Sequence, residues 1–271
     1  MPPDIGSVEA IAHNILATTV PPIIAVVNQK GGVGKTTTAI NLGAALAEMG
    51  HSVLLVDLDP QANSTSGLGL DPVRARLNIY HLLTGEATVE QATIPTSAPG
   101  MQLVPSHIDL AGAEIELATL SARESRLRNA LGSVPESIGC VIIDCPPSLG
   151  LLTLNALTAA TSMLIPTQCE YFALEGLRHL LYTHQRVRSR LNPNLAIAGI
   201  VMTQFDARTT LSWDVLREVR RSHPTHVLET LIPRNVRISE APSHGKSVIQ
   251  YDPMCRGAVA YRALAKELLE R

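Results

Sequence analysis

Short apolar runs rich in β-branched residues recur along the chain, and helical periodicities separate them. The runs are Ile23–Val27, Val53–Val56, Val141–Ile143, Ser162–Ile165 and Ile197–Met202, with shorter ones near Leu103 and over Leu228–Ile232. Several are continuously apolar, as expected of strands buried on both faces of a parallel sheet. Helical spacing predicts helices over Thr37–Met49, Asp109–Leu120, Ala122–Leu131, Leu174–Leu191, Leu211–Ser222 and Ala258–Glu270. Alternation of this kind predicts an α/β fold: one doubly wound, mostly parallel sheet with helices on both faces. Ahead of it, residues 1–22 read as an N-terminal extension. There Val8, Ile11, Ile15 and Leu16 sit at helical spacing and Pro21-Pro22 stops any helix. Residues 23–271 then form one domain.

Composition narrows this picture. The 271 residues are 45% hydrophobic but only 3% aromatic, so the core must come from Val, Ile, Leu and Ala. No run approaches the roughly 18 apolar residues of a membrane span. The first lysine or arginine is Lys30, which gives no basic leader and points to a cytoplasmic protein. Cys140, Cys145, Cys169 and Cys255 have no C-x-x-C spacing and read as reduced thiols. With a net charge of −2, any nucleic-acid binding needs a local basic face.

The chemistry is concentrated in Lys30-Gly31-Gly32-Val33-Gly34-Lys35-Thr36-Thr37, between the first strand and the first helix. Three glycines let backbone N–H groups converge on phosphate oxygens, and the helix start adds positive potential there. Lys35 suits the β- and γ-phosphates, and the Thr36 hydroxyl suits Mg²⁺. The usual first glycine of such a loop is replaced by Gln29, and Lys30 is an additional cation. Lys30 is either a solvated loop lysine or a group that reaches the nucleotide of a facing subunit, as an arginine finger does.

Two strands end in carboxylates, at Asp57-Leu58-Asp59-Pro60 and at Asp144-Cys145-Pro146-Pro147. Strand carboxyl ends are where ligands sit in open α/β sheets. Asp144 fits a Mg²⁺-holding role. Asp57 and Asp59 share a side if the strand continues that far. Asp59, at the exit, is the better candidate to position the attacking water, and it joins Thr36 and Asp144 among the Mg²⁺ candidates. Arginines are enriched in the last third, from Arg186 to Arg237. They suit sequence-independent phosphate contacts, since no recognition helix or aromatic stacking motif is visible.

These motifs, with Cys169-Glu-Tyr-Phe-Ala-Leu-Glu175-Gly176 and Ile232-Pro-Arg-Asn-Val-Arg237-Ile-Ser-Glu-Ala-Pro-Ser-His-Gly245, closely resemble the ParA/Soj chromosome-partitioning ATPases from about Ile23 to the C-terminus. The resemblance implies an ATP-hydrolysing, Mg²⁺-dependent switch that cycles between ATP and ADP. Lys30 looks like the signature lysine that crosses to the other subunit's ATP in a face-to-face homodimer. Gly31 looks like a close-approach point at that contact. Asp59 looks like the residue needed for hydrolysis and Asp144 like the second-strand Mg²⁺ aspartate. Pro233 and Asn235 match positions that frame the adenine. Arg208 and Arg237 match arginines that bind double-stranded DNA non-specifically, and a ParB-like partner would stimulate turnover.

Three other readings remain at this point. A MinD-like membrane-associated ATPase would end in an amphipathic helix with large apolar residues opposite lysines. Here Ala258–Arg271 is alanine-rich and mixed in charge, better suited to docking on the domain. An iron–sulfur reductase would need two cysteines per subunit placed to share a cluster, and the context of Cys140 and Cys145 is wrong for that. A phosphate-transferring metabolic enzyme would need a second-substrate site that no motif marks.

Overall fold

The eight strands of one sheet lie in the order β3-β4-β2-β5-β1-β6-β7-β8. The computed structural model describes residues 21–271 apart from Phe172, so the helix expected within residues 1–22 lies outside the described residues. The strands are β1 (Ile23–Val26), β2 (Val53–Asp57), β3 (Ile94–Pro95), β4 (Met101–Val104), β5 (Cys140–Asp144), β6 (Ser162–Gln168), β7 (Ala196–Phe205) and β8 (Val227–Pro233). Every pairing is parallel except that of β3 with β4. The helices are α1 (Lys35–Glu48), α2 (Asn63–Gly67), α3 (Ile79–Thr84), α4 (Val89–Ala92), α5 (Leu110–Ala118) and α6 (Arg126–Leu131). They continue with α7 (Leu151–Ala159), α8 (Ala173–Arg190), α9 (Thr210–Ser222), α10 (Val236–Glu240), α11 (Val248–Tyr251) and α12 (Arg256–Leu269).

Why the apolar runs do not alternate is visible in the two cores. Leu54, Val56, Val141 and Ile143 enter one cluster with α5, α7, α8 and α9. Their neighbours Val53, Leu55, Cys140 and Ile142 enter the other, with α1 and α12. Alternate side chains of a strand point to opposite faces, and both faces are covered, so every position is apolar. Helix α12 docks through Ala258, Tyr261, Leu264 and Ala265, all at most 1% exposed. No helix among the described residues is long and apolar enough to cross a membrane.

The helix expected over Ala122–Leu131 is broken. Ala122 has φ 52°, a helical turn covers Arg123–Ser125, and α6 starts only at Arg126. The cause is Asn155 on α7, which accepts from Leu127 N at 3.1 Å and donates to the Arg123 carbonyl at 2.8 Å. That clamp interrupts the helical ladder.

Candidate nucleotide site

Strand β1 delivers the loop and α1 leaves it, at the carboxyl edge of the sheet. Gly32 and Gly34 have φ of 76° and 87°, a left-handed backbone that side chains other than glycine's disfavour. Gly34 is also the N-cap of α1. Residues remote in sequence tie the loop carbonyls back. Thr203 Oγ1 donates to the Val33 carbonyl at 2.8 Å, and Gln204 Nε2 to the Gly32 carbonyl at 2.8 Å. Asn28 Oδ1 accepts from Lys30 N at 3.0 Å. With carbonyls pinned outward, the amides are left to face a ligand.

The loop opens on a cavity of about 610 Å³ lined by Gly31, Gly32, Gly34, Lys35, Thr36, Thr37 and Asp59, among others. Val33 does not line it; its side chain is 1% exposed in the core, so only its backbone can serve a ligand. Lys35 is buried, and its ammonium donates to the Lys30 carbonyl at 3.0 Å. Burial lowers its pKa, against the opposing pull of Asp144, Cys145 and Asp59. Phosphate oxygens would relieve that desolvation.

The carboxylates divide. Asp144 is fully buried; its Oδ2 accepts from Ser64 Oγ at 2.8 Å, while Oδ1 has no partner. Burial pushes its pKa up to about 6, opposed by the hydroxyls of Thr36 and Ser64. An orphaned buried carboxylate oxygen beside a threonine hydroxyl fits a cation that protein groups alone do not enclose. No cluster of three or more His, Cys, Asp or Glu that could hold a metal exists among the described residues. A Mg²⁺ held by one or two side chains, water and phosphates has this signature.

Asp57 and Asp59 do not share a side. Strand β2 ends at Asp57, and the chain turns so that Asp59 N donates to Asp57 Oδ1 at 3.3 Å. Asp57 is fully buried beneath the site, where Thr65 N and Oγ1 donate to its Oδ2 at 2.8 and 2.7 Å. Burial and the neighbouring Asp144 raise its pKa to about 8. Asp59, 7% exposed, lines the cavity and accepts from Gln61 N at 3.0 Å.

Comparison with known proteins gives the scaffold its family. A family model described as an AAA domain matches residues 22–197. The sporulation initiation inhibitor protein Soj of Bacillus subtilis is 54% identical over 246 residues, covering 91% of this chain and 97% of its own. The chromosome partitioning protein ParA of Caulobacter vibrioides is 51% identical over 251 residues, covering 92% and 94%. The chain belongs to the Soj/ParA family of chromosome-partitioning ATPases. Among solved structures it resembles one described as cobyrinic acid a,c-diamide synthase from Mycobacterium smegmatis with bound ATP analog and magnesium. That likeness has a TM-score of 0.82 and 43% identity over 92% of this chain and 95% of the other. It also resembles the cell division ATPase MinD of Pyrococcus furiosus, with a TM-score of 0.75 and 28% identity over 92% and 98%.

The remaining positions that the Soj/ParA resemblance singled out fall around this scaffold. Pro233 and Asn235 line a second cavity of about 440 Å³ that shares Gly34 and Thr37 with the first. Lys30 lies outside both, with its ammonium paired to Glu170 of the same chain. Arg208 and Arg237 sit at one edge, because Phe205 and Pro233 are paired at the ends of β7 and β8. Both are ion-paired. Arg208 reaches Asp206 at 2.6 Å, and Arg237 reaches Glu240 at 2.9 Å and Asp252 at 3.3 Å. Sequence reasoning missed Asn28, Ser64, Thr203 and Gln204. Only Asn28 and Ser64 lie next to a motif; Thr203 and Gln204 come to the loop through the sheet. Cys140, Cys145 and Cys169 are buried, and burial raises all three thiol pKa values, that of Cys140 to about 12. Such thiols are poor cluster ligands.

Proposed function

We infer that this ATPase is a nucleotide-timed DNA-binding switch, built on residues 23–271 with residues 1–22 as an extension. The observation that carries the reading is the division of labour between the two loop lysines. Lys35 is buried in the cavity, while Lys30 stands outside its lining, half-exposed and paired to Glu170. One lysine suffices to bind a nucleotide; a second, outward one suits a site completed by another copy.

ATP occupies the two cavities, its phosphates on the loop N–H groups and Lys35, its base near Pro233 and Asn235. Lys35 exchanges the Lys30 carbonyl for phosphate oxygen. Thr36 and Asp144, with Asp59 close by, hold Mg²⁺, which when bound neutralises charge on the phosphates. Lys30 leaves Glu170 to reach the partner's ATP. The exchange is cheap, because a half-exposed ion pair contributes only about 0–1 kcal/mol. Gly31 sits at the contact, where its missing side chain permits close approach. Asp59 orients the attacking water. The dimer places two sets of basic groups, Arg208 and Arg237 among them, on double-stranded DNA. Hydrolysis, stimulated by a ParB-like partner, releases both. Intrinsic turnover is slow, the protein is cytoplasmic and nucleoid-associated, and the membrane has no part in the cycle.

Gel filtration with and without ATP and random-sequence duplex, at two salt concentrations, tests the reading. The expected result is a dimer only with ATP, and DNA binding only by the dimer at the lower salt. An ATP-bound monomer, or DNA binding indifferent to ATP, overturns it. A vesicle sedimentation assay with ATP separates it from a MinD-like function; pelleting with anionic vesicles would favour the latter.

A further inference from the structure

Helix α8 carries Arg178, Tyr182, Arg186 and Arg190 at spacings of four, all exposed. Residues four apart on a helix form one ridge. From Arg178 to Arg190 that ridge is about 18 Å long at 1.5 Å per residue. The guanidinium of Arg186 lies 5.9 Å from the centre of the Tyr182 ring, and Tyr182 is 61% exposed. Over Ala173–Arg190 there are four arginines and one glutamate, a formal charge of +3, within a chain of net charge −2.

The arginines of this ridge differ from those of α9 and from Arg208 and Arg237. On α9, Arg217 pairs with Asp214 and Arg221 with Glu218; Arg220 pairs with Glu229 on β8. Arg208 and Arg237 are likewise neutralised by Asp206, Glu240 and Asp252. Arg178, Arg186 and Arg190 form no salt bridge with any described residue. Helix stability does not account for the set. The macrodipole rewards a cation only in the last turn, which covers Arg190 and leaves Arg178, in the second turn, without that reward.

We propose that the α8 ridge is a second phosphate-contacting surface, on which the backbone of duplex DNA lies alongside Arg178, Arg186 and Arg190. This rests on the reading that the ATP-bound protein binds DNA, and it moves much of the contact away from the strand edge that carries Arg208 and Arg237. The dimensions fit. At 3.4 Å of helix axis per phosphate of one strand, the ridge covers about five base-pair steps of axis, length enough for three arginines each to meet a phosphate. Unpaired guanidiniums need not exchange an internal carboxylate for a phosphate, whereas Arg208 and Arg237 must. The Tyr182 ring under Arg186 holds that guanidinium without neutralising it.

The test is fluorescence anisotropy of a random-sequence 30-base-pair duplex with the full chain, ATP and Mg²⁺, across a series of NaCl concentrations. The triple variant Arg178→Gln, Arg186→Gln, Arg190→Gln is compared with the wild type and with the matching triple lysine variant. With about 0.9 counterions released per neutralised phosphate, the log–log salt slope should shrink by about 2.7 per chain, or about 5 for two chains on one duplex. The lysine variant should keep most of the slope, and the melting temperature and DNA-free ATP turnover should be unchanged in both. A wild-type slope in the glutamine variant overturns the proposal while leaving DNA binding through the strand edge intact. Absence of ATP-dependent duplex binding in the wild type overturns the underlying reading. Loss of binding to phosphatidylglycerol vesicles with duplex binding intact would assign the ridge to a lipid surface and overturn the DNA assignment.

Discussion

Thr65→Val should destabilise the nucleotide-free protein by about 1–4 kcal/mol near neutral pH although it changes no volume to speak of. Thr65 is fully buried, and its hydroxyl works twice: it donates to Asp57 Oδ2 at 2.7 Å and accepts from Ser106 N at 3.0 Å. Valine does neither. Orphaning the Ser106 N–H costs about 1–3 kcal/mol, and removing a donor from the carboxyl adds about 0.5–1.5 kcal/mol if Asp57 is protonated and about 1.5–3 if it is charged. The new buried methyl returns about 0.8 kcal/mol. Because the Asp57 pKa is raised from 3.8 to about 8, the folded state holds a proton between those values that the unfolded state releases. Wild-type stability therefore falls as pH rises across that window. Thr65 lowers this pKa, so the penalty of Thr65→Val should grow as pH passes about 8. Urea unfolding at pH 6.5 and 8.5 measures both effects. With m near 3 kcal/mol/M, the midpoint should fall by about 1 M. A loss below about 0.5 kcal/mol at both pH values would refute the idea that the Thr65 hydroxyl is needed to satisfy Asp57 and the Ser106 N–H. A penalty that shrinks with pH would refute the protonation of Asp57.

Gly34→Ala should cost about 1–2 kcal/mol in thermal melts through its left-handed backbone alone, since an added Cβ meets nothing within 4 Å. Gly31→Ala, with equally open space and no positive φ, should be neutral in stability yet lose the ATP-dependent dimer in gel filtration; a retained dimer would remove Gly31 from the contact. Lys35→Ala should weaken ATP binding by about 2–5 kcal/mol in calorimetric titration, and undiminished affinity would displace it from the phosphates. Asp59→Ala should slow phosphate release by about 10²-fold or more and leave a long-lived ATP dimer; normal turnover would assign the water to another group.

Much of the architecture was legible because it depends on burial. All seven apolar runs became strands, with ends displaced by a few residues, since a strand covered on both faces tolerates little else. Strand β3 escaped because two residues, Ile94 and Pro95, carry no periodicity. The short helices α3, α4 and α11 are set by capping boxes at Asn78, Thr88 and Ser247 instead. Thr88-x-x-Gln91 and Ser247-x-x-Gln250 are sequence signals that could have located two of them. The break before α6 had no local signal, because Asn155 imposes it from another helix.

The site was legible up to the point where spacing stops determining direction. Asp57 and Asp59 illustrate the limit: the two-residue rule holds only while the strand continues, and β2 ends at Asp57. One residue of turn sends Asp57 into the core and Asp59 to the cavity, so two carboxylates that look interchangeable acquire opposite environments. The two loop lysines separate in the same way. Lys35 opens α1 and is carried inward by it, while Lys30 precedes the glycines and is turned toward Glu170 on the loop before α8. Chemistry that depends on which way a group faces is decided by where an element ends. Here both decisions fall within four residues of a strand or helix terminus, at the edge where β1, β2 and β5 stop together. Asp57 pairs with Asp144 in register, and Val26 with Asp144 on the other side. That shared ending gathers the loop and the carboxylates, and it is a property of the sheet that no single segment of the sequence contains.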